Sequence, residues 1–119
     1  MSEYQVITGK ERLDDARIGI VASRYNARIV DRLLSACVAR LKKAGLGTEQ
    51  ILVVEVPGAF EIPVAVQRLV LKGDSDAVIA HGAVIRGETP HFEYIAGECA
   101  HGLARIALNQ DIPVIFGVL

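Results

Sequence analysis

Four short apolar segments alternate along the chain with three segments whose apolar residues recur at helical spacing. The apolar segments cover residues 18–22, 51–56, 77–85 and 113–119, and their composition is typical of strands buried on both faces. The segments between them cover residues 26–44, 60–71 and 90–109 and predict amphipathic helices. This β-α-β-α-β-α-β order predicts an open parallel sheet with right-handed crossovers and helices on both faces.

The predicted fold class is therefore α/β, a three-layer, flavodoxin-like sheet of four strands with three helices. With 119 residues, the chain has room for a single domain over residues 1–119. Residues 5–8 can add an edge strand, to this sheet or to that of a neighbouring chain. Three helices must cover two faces, so we expect one face to be covered by a partner, or by a C-terminal segment that the sequence lacks.

Composition excludes several classes of function. Thirteen Lys and Arg against fourteen Asp and Glu give a net charge of -1, which argues against nucleic acid or an anionic membrane as partner. No apolar run reaches the roughly 18 residues of a membrane span, and the first residues are polar, so we expect a soluble, cytoplasmic protein. Cys37 and Cys99 lie on predicted buried helix faces without metal-ligand spacing, which predicts reduced core thiols.

Ligands of open parallel sheets bind outside the carboxyl ends of the strands, so the residues that follow each strand are the candidates for a site. Tyr25, Phe60 and Phe116 are three of the six aromatic residues, and each lies after or near the end of a predicted strand. Rings gathered at this edge suit a planar heterocycle. The alternative is that Phe60 and Phe116 simply fill the core.

The segment from Gly87 to His91 is the densest signal of a site. With Thr89 as N-cap and Pro90 as the first helical residue, the amides around Gly87 and Glu88 lie at the positive end of a helix, where a phosphate binds well. His91 falls in the first turn, where the helix dipole favours the neutral imidazole and makes it available as a base or proton shuttle. The alternative for His91 is an ordinary surface histidine.

Three other titratable residues have plainer interpretations. We expect His81 to be a buried or half-buried residue with its hydrogen bonds satisfied, and His101 to be solvated. Glu61, at the start of the second helix, can simply complement the helix N-terminus.

Four motifs, taken in chain order, resemble those of one enzyme family. They are Tyr25-Asn26, VPGAFEIP at residues 56–63, GAVIRGETPHFEY at 82–94, and IPVIFGVL at 112–119. From about Arg17 to the last residue the sequence is similar to the lumazine synthases, transferases of riboflavin biosynthesis. The resemblance implies condensation of 5-amino-6-(D-ribitylamino)uracil with 3,4-dihydroxy-2-butanone 4-phosphate to 6,7-dimethyl-8-ribityllumazine. Phosphate and water are released, and no metal or organic cofactor takes part.

The same resemblance implies roles for twelve residues. Those that contact the pyrimidine ring and the ribityl chain are Tyr25, Asn26, Ala59, Phe60, Glu61, Val84 and Ile85, together with Phe116 donated by a neighbouring subunit. Those that bind phosphate are Gly87, Glu88 and Thr89. His91 matches the proton-transfer residue.

The family's site lies between the subunits of a pentamer, which is free, paired as a decamer or assembled into a sixty-subunit icosahedral capsid. Its members continue past the last motif with a helical segment that carries an Arg and a Lys of the site. The resemblance therefore implies a C-terminally short domain, with a separate C-terminal fragment as a further candidate partner. Two alternatives stay open: a non-catalytic shell or scaffold subunit, and a passive binder of lumazine or riboflavin. The remaining alternative is a flavodoxin-like domain of unspecified function.

Overall fold

The computed structural model of the chain describes residues 3–9 and 14–119. The elements in chain order are β1 (Ile18–Ser23), α1 (Ala27–Lys43), a 3₁₀ turn (Thr48–Gln50), β2 (Ile51–Val56), a second 3₁₀ turn (Ala59–Glu61), α2 (Ile62–Lys72), β3 (Ala77–Gly82), α3 (His91–Gln110) and β4 (Val114–Val118). The strands form one parallel sheet in the order β2-β1-β3-β4. The predicted fold class is confirmed.

The two faces of the sheet are covered unequally. On one face α2 and α3 pack a large core that includes Ile62, Val66 and Cys99. On the other face α1 packs alone, over a smaller core around Ile18 and Ile20 and a second one around Val30. Every residue of β1 is buried, because β1 lies between two strands and under helices on both sides.

Strand β4 lies at the edge of the sheet, and large apolar side chains of this strand are exposed. Ile115 pairs with Ile79, which belongs to the α1 core, yet the Ile115 side chain is 51% exposed because α1 does not reach it. Phe116, which points to the opposite face of the sheet, is also 51% exposed, so β4 is incompletely covered on both faces. The shortage of helices expected from the element order is therefore present in the structure.

Several predicted element ends are wrong by one to three residues. Strand β3 ends at Gly82 instead of residue 85, although the Val84 amide still donates to the Leu119 carbonyl at 2.7 Å. Helix α2 begins at Ile62, because the residues before it form the second 3₁₀ turn. Residues 5–8 are exposed and form no strand, so they do not add an edge strand to the sheet of this chain.

Both cysteines are free thiols. Cys99 is fully buried, as predicted, whereas Cys37 is only half-buried and packs against the α1 core. Burial raises the pKa of Cys99 to about 11 and also raises the pKa of Cys37. Neutral thiols in these positions behave as small apolar side chains.

The expectation that His81 is buried is confirmed, but the expectation that its hydrogen bonds are satisfied is wrong. The residue is 8% exposed, and neither ring nitrogen has a hydrogen-bond partner within the described part of the chain. His81 pairs with Ala22 and Gly117, and the ring lies so close to Gly117 that a Cβ there would be 2.7 Å from Nδ1. Burial lowers the pKa of His81.

Among the helices of the described residues, none combines the length and the apolar character needed to cross a membrane.

Candidate functional site

A cavity of about 690 Å³ lies outside the carboxyl ends of β1, β2 and β3. Three loops and the first turns of α3 form its walls. The lining residues are Tyr25, Pro57, Gly58, Ala59, Phe60, Glu61, Ala83, Val84, Ile85, Gly87, Thr89, His91, Phe92, Tyr94 and Ile95. The position agrees with the rule that ligands of open α/β sheets bind at this edge.

The loop after β1 contributes Tyr25, whose side chain is 71% exposed and lines the cavity. The Tyr25 amide donates to the Pro57 carbonyl at 3.0 Å, which ties this loop to the loop after β2. Asn26, the next residue, does not line the cavity. It adopts the left-handed conformation with φ 61°, and its Nδ2 donates to the Ala83 carbonyl at 3.0 Å.

The loop after β2 is closed by a side chain. The Glu61 carboxylate accepts a hydrogen bond from the Gly58 amide at 2.9 Å through Oε1, which fixes the short turn between them. Phe60 is 58% exposed in this turn, so it is not a core residue. The turn therefore holds an aromatic ring and a carboxylate side by side on the cavity wall.

The loop after β3 runs from Ala83 to Pro90 and leads into α3. Pro90, with ψ 9°, is the N-cap of α3, so the prediction that Thr89 is the N-cap and Pro90 the first helical residue is wrong. Thr89 instead accepts a long hydrogen bond from the His91 amide, 3.4 Å from Oγ1. The Arg86 guanidinium stacks over the Phe92 ring, 5.5 Å from its centroid, and this contact holds the loop against the helix.

His91 is the first residue of α3, and its exposed side chain lines the cavity beside Gly87 and Thr89. His101, further along the same helix, is exposed and does not line the cavity, as expected of a solvated residue. Within residues 3–9 and 14–119, no group of three or more His, Cys, Asp or Glu side chains is placed to hold a metal ion.

The cavity brings together most of the residues singled out from the sequence. The nine that line it are Tyr25, Ala59, Phe60, Glu61, Val84, Ile85, Gly87, Thr89 and His91. The three that do not are Asn26, Glu88 and Phe116.

Phe116 departs furthest from the expected gathering of aromatic rings. It lies in the middle of β4, paired with Ala80, and not beyond the end of its strand. Since it is half exposed, it is not a core filler of this chain either. A role in the site of a neighbouring subunit stays a prediction.

Six further lining residues have no role predicted from the sequence. They are Pro57, Gly58, Ala83, Phe92, Tyr94 and Ile95. Helical spacing points to two of them, because Tyr94 and Ile95 lie three and four positions after His91 and so share its face of α3. Phe92, three positions before Ile95, lies on the same side of the helix as Ile95, which packs against the core of α2 and α3, and Phe92 also lines the cavity.

The fold and the cavity define an α/β protein with an open cavity at the carboxyl edge of a parallel sheet, where ligands of such folds bind, with aromatic rings on the rim and a helix start at one end. The model of the family described as 6,7-dimethyl-8-ribityllumazine synthase matches residues 15–119. A protein named 6,7-dimethyl-8-ribityllumazine synthase from Protochlamydia amoebophila (strain UWE25) is 44% identical over 119 residues, which are all of this chain and 67% of that protein. The chain belongs to the 6,7-dimethyl-8-ribityllumazine synthase family.

Proposed function

We propose that the protein condenses 5-amino-6-(D-ribitylamino)uracil with 3,4-dihydroxy-2-butanone 4-phosphate to form 6,7-dimethyl-8-ribityllumazine, the step of riboflavin biosynthesis after which the family is named. The observation that carries the proposal is that nine of the twelve residues assigned by family resemblance line one cavity, although they come from three separate loops and the start of α3. A planar, polar substrate with a flexible chain suits a cavity with aromatic rims and a few polar groups.

The pyrimidine ring binds between the exposed Tyr25 ring and the backbone of Val84 and Ile85. An aromatic ring offers stacking area with little loss of side-chain entropy. Since the Val84 amide already donates to the Leu119 carbonyl, the Val84 carbonyl and the Ile85 amide are the backbone groups that match the acceptors and donors of a uracil edge. The ribityl chain lies along Ala59, Phe60 and Glu61. The Glu61 carboxylate, already held by the Gly58 amide, presents acceptors to its hydroxyl groups.

The phosphate of the second substrate binds at Gly87, Glu88 and Thr89. Gly87 and Thr89 line the cavity immediately before α3, where the helix dipole favours an anion. A Cβ at Gly87 would contact nothing within 4 Å, so the turn leaves open space for an anion to approach the backbone.

His91 transfers protons during the reaction. Joining an amine to a ketone expels water, and expelling phosphate requires a proton to leave a neighbouring carbon. Both steps need a group that exchanges protons near neutral pH, which is the usual role of histidine. His91 is the histidine on the cavity wall and lies next to the phosphate turn.

The site is completed by a second copy of the chain in a homo-oligomer, a pentamer or a shell built from pentamers. The half-exposed Phe116 supports this, since it lies on the edge strand, away from its own cavity. We also propose that the protein acts in the cytoplasm, which the free thiols of Cys37 and Cys99 support.

The test is to mix the purified protein with both substrates and follow the absorbance and fluorescence of the lumazine product. Product formed at a rate proportional to protein concentration is the expected result. Binding of the pyrimidine without product indicates a passive binder. A protein that forms particles but neither binds nor converts the substrates is a scaffold, and either result contradicts the proposed reaction.

A further inference from the structure

The side chain of Asn26 makes a hydrogen bond that joins two loops distant in sequence. Its Nδ2 donates to the Ala83 carbonyl at 3.0 Å, across 57 positions of the chain, and the contact is partly buried. Ala83 is itself buried, lines the cavity and directly precedes Val84. The bond therefore connects the loop of Tyr25 to the strand end proposed to bind the pyrimidine edge.

The same short loop is also joined to its other neighbour. The Arg24 amide donates to the Val56 carbonyl at 2.8 Å, and the Tyr25 amide donates to the Pro57 carbonyl at 3.0 Å. Because β1 lies between β2 and β3, residues 24–26 connect all three loops that form the cavity. On the β2 side the connection uses backbone groups, whereas on the β3 side it uses the side-chain Nδ2 of Asn26.

We propose that Asn26 is a positioning residue that holds the Tyr25 ring in register with the backbone of Val84 and Ile85, and that it does so through Ala83. This inference rests on the proposed function, in which those groups bind the pyrimidine. It differs from the role implied by family resemblance, which places Asn26 among the residues that contact the substrate. Its Nδ2 is already engaged with a carbonyl, and the residue is absent from the cavity wall.

Asparagine meets both requirements of this position. The backbone has φ 61° and ψ 45°, a region that asparagine, aspartate and glycine tolerate better than other residues. The side chain must also donate, because its partner is a carbonyl oxygen. Aspartate keeps the shape and the backbone preference but has no donor, and glycine keeps the backbone preference but has no side chain.

These properties define two variants, Asn26→Asp and Asn26→Gly. The control is Asn109→Asp, which makes the same change of charge at an exposed residue of α3 outside the cavity. Hydrogen exchange of the ligand-free protein reports on segments 24–26 and 83–85. Titration with 5-amino-6-(D-ribitylamino)uracil gives its Kd, and steady-state kinetics give kcat and both KM values.

We expect both variants to exchange amide hydrogens in the two segments about tenfold faster, and to bind the pyrimidine about tenfold more weakly, the factor for one net hydrogen bond. The KM for the phosphate substrate and kcat should change less than about threefold, because the phosphate turn begins four residues after Ala83 and Asn26 makes no hydrogen bond to that turn or to His91. The Asn109→Asp control should match the unmodified protein in every measurement.

Two results would overturn the proposal. Unchanged exchange with weakened pyrimidine binding would mean that Asn26 touches the substrate directly. Faster exchange with an unchanged Kd would mean that the bond stabilises the loops without positioning the ring. Kd and hydrogen exchange are measured without turnover. A protein that binds the pyrimidine and forms no product would therefore contradict the proposed reaction but not the proposed role of Asn26.

Discussion

At the scale of single residues, His91 is the group on which the proposed chemistry depends most. We expect His91→Ala to lower kcat by about ten- to ten-thousandfold, the range for one general acid-base group, while the Kd of the pyrimidine changes little. Steady-state kinetics with both substrates measure the effect. The matched control is His101→Ala, since His101 lies on the same helix but outside the cavity. Undiminished turnover in the His91 variant would remove His91 from the mechanism.

Cys99 predicts a pH dependence of stability. Its thiol is fully buried, and its pKa is raised from 9.0 to about 11. The folded state therefore keeps the proton that the unfolded chain releases near pH 9. The contribution of Cys99 to the free energy of unfolding is fully present below pH 9 and is lost as the pH rises to 11. Two pKa units correspond to about 2 to 3 kcal/mol.

Urea unfolding at pH 8 and pH 11 tests this prediction. Between these two pH values, the free energy of unfolding should fall further in the unmodified protein than in a Cys99→Ala variant, by about 2 to 3 kcal/mol. The variant retains all other titrating groups, so the difference between the two proteins belongs to Cys99. An equal fall in both proteins would show that Cys99 ionises in the folded state as easily as in the unfolded chain.

At the scale of elements, the contact between α2 and α3 depends on a glycine. A Cβ at Gly102 would lie 2.8 Å from the Pro63 Cβ and 2.9 Å from its Cγ, and the proline ring has no rotamer that moves it away. A Cβ at Gly97, about one and a half turns earlier on the same helix, would meet nothing within 4 Å. The two glycines cost the helix the same propensity and differ in packing alone.

We expect Gly97→Ala to raise the free energy of unfolding by about 0.5 to 1 kcal/mol, the gain in helix propensity. Gly102→Ala should lower it by about 1 to 3 kcal/mol, because α3 must move away from α2. Chemical denaturation of both variants measures the difference. If both substitutions stabilise the protein equally, the close approach of the two helices at Pro63 is not maintained in solution.

At the scale of the whole molecule, the unequal covering of the sheet predicts association. Ile115 is 51% exposed on the face that α1 covers alone, Phe116 is 51% exposed on the opposite face of β4, and Leu119, directly after the strand, is 68% exposed. At about 25 cal/mol per Å², an apolar patch of about 400 Å² left in water costs on the order of 10 kcal/mol, comparable with the whole stability of a domain. We expect sedimentation at low micromolar concentration to show oligomers, and Ile115→Lys to shift the protein toward smaller species. A monodisperse monomer that melts cooperatively would contradict this.

Shared sites predict complementation between two variants. If Phe116 of one subunit completes the cavity that contains His91 of the next, both His91→Ala and Phe116→Ala proteins lose activity. Random reassembly of an equal mixture would then restore about a quarter of the sites, because each intact site needs one unmodified contribution from each side. Activity should be measured after dissociation and remixing, with each variant alone as control. No recovery from a mixture shown to exchange subunits would place the whole site within one chain.

The alternation of elements and most of the cavity residues can be predicted from the amino-acid sequence by itself. Strand and helix periodicities are local properties, so the order of elements and the bounds of β2, residues 51–56, follow from spacing. In parallel strands the carboxyl ends meet at one edge, so residues such as Tyr25, Phe60 and His91, far apart in sequence, are expected to lie together. The order β2-β1-β3-β4 places the loops of β1, β2 and β3 side by side.

Only the tertiary structure decided the details that depend on contacts between distant segments. Phe116 lies away from its own cavity because it falls in the middle of β4, opposite Ala80, and not beyond the carboxyl end of the strand, and no local pattern fixes which residues of a neighbouring strand it pairs with. Asn26 engages Ala83 because two loops 57 residues apart approach within hydrogen-bond distance. His81 is buried without a partner among the described residues because Gly117 on the next strand leaves room for its ring. Periodicity reports the propensity of one segment, whereas burial and hydrogen bonding are properties of pairs of segments that meet when the chain folds.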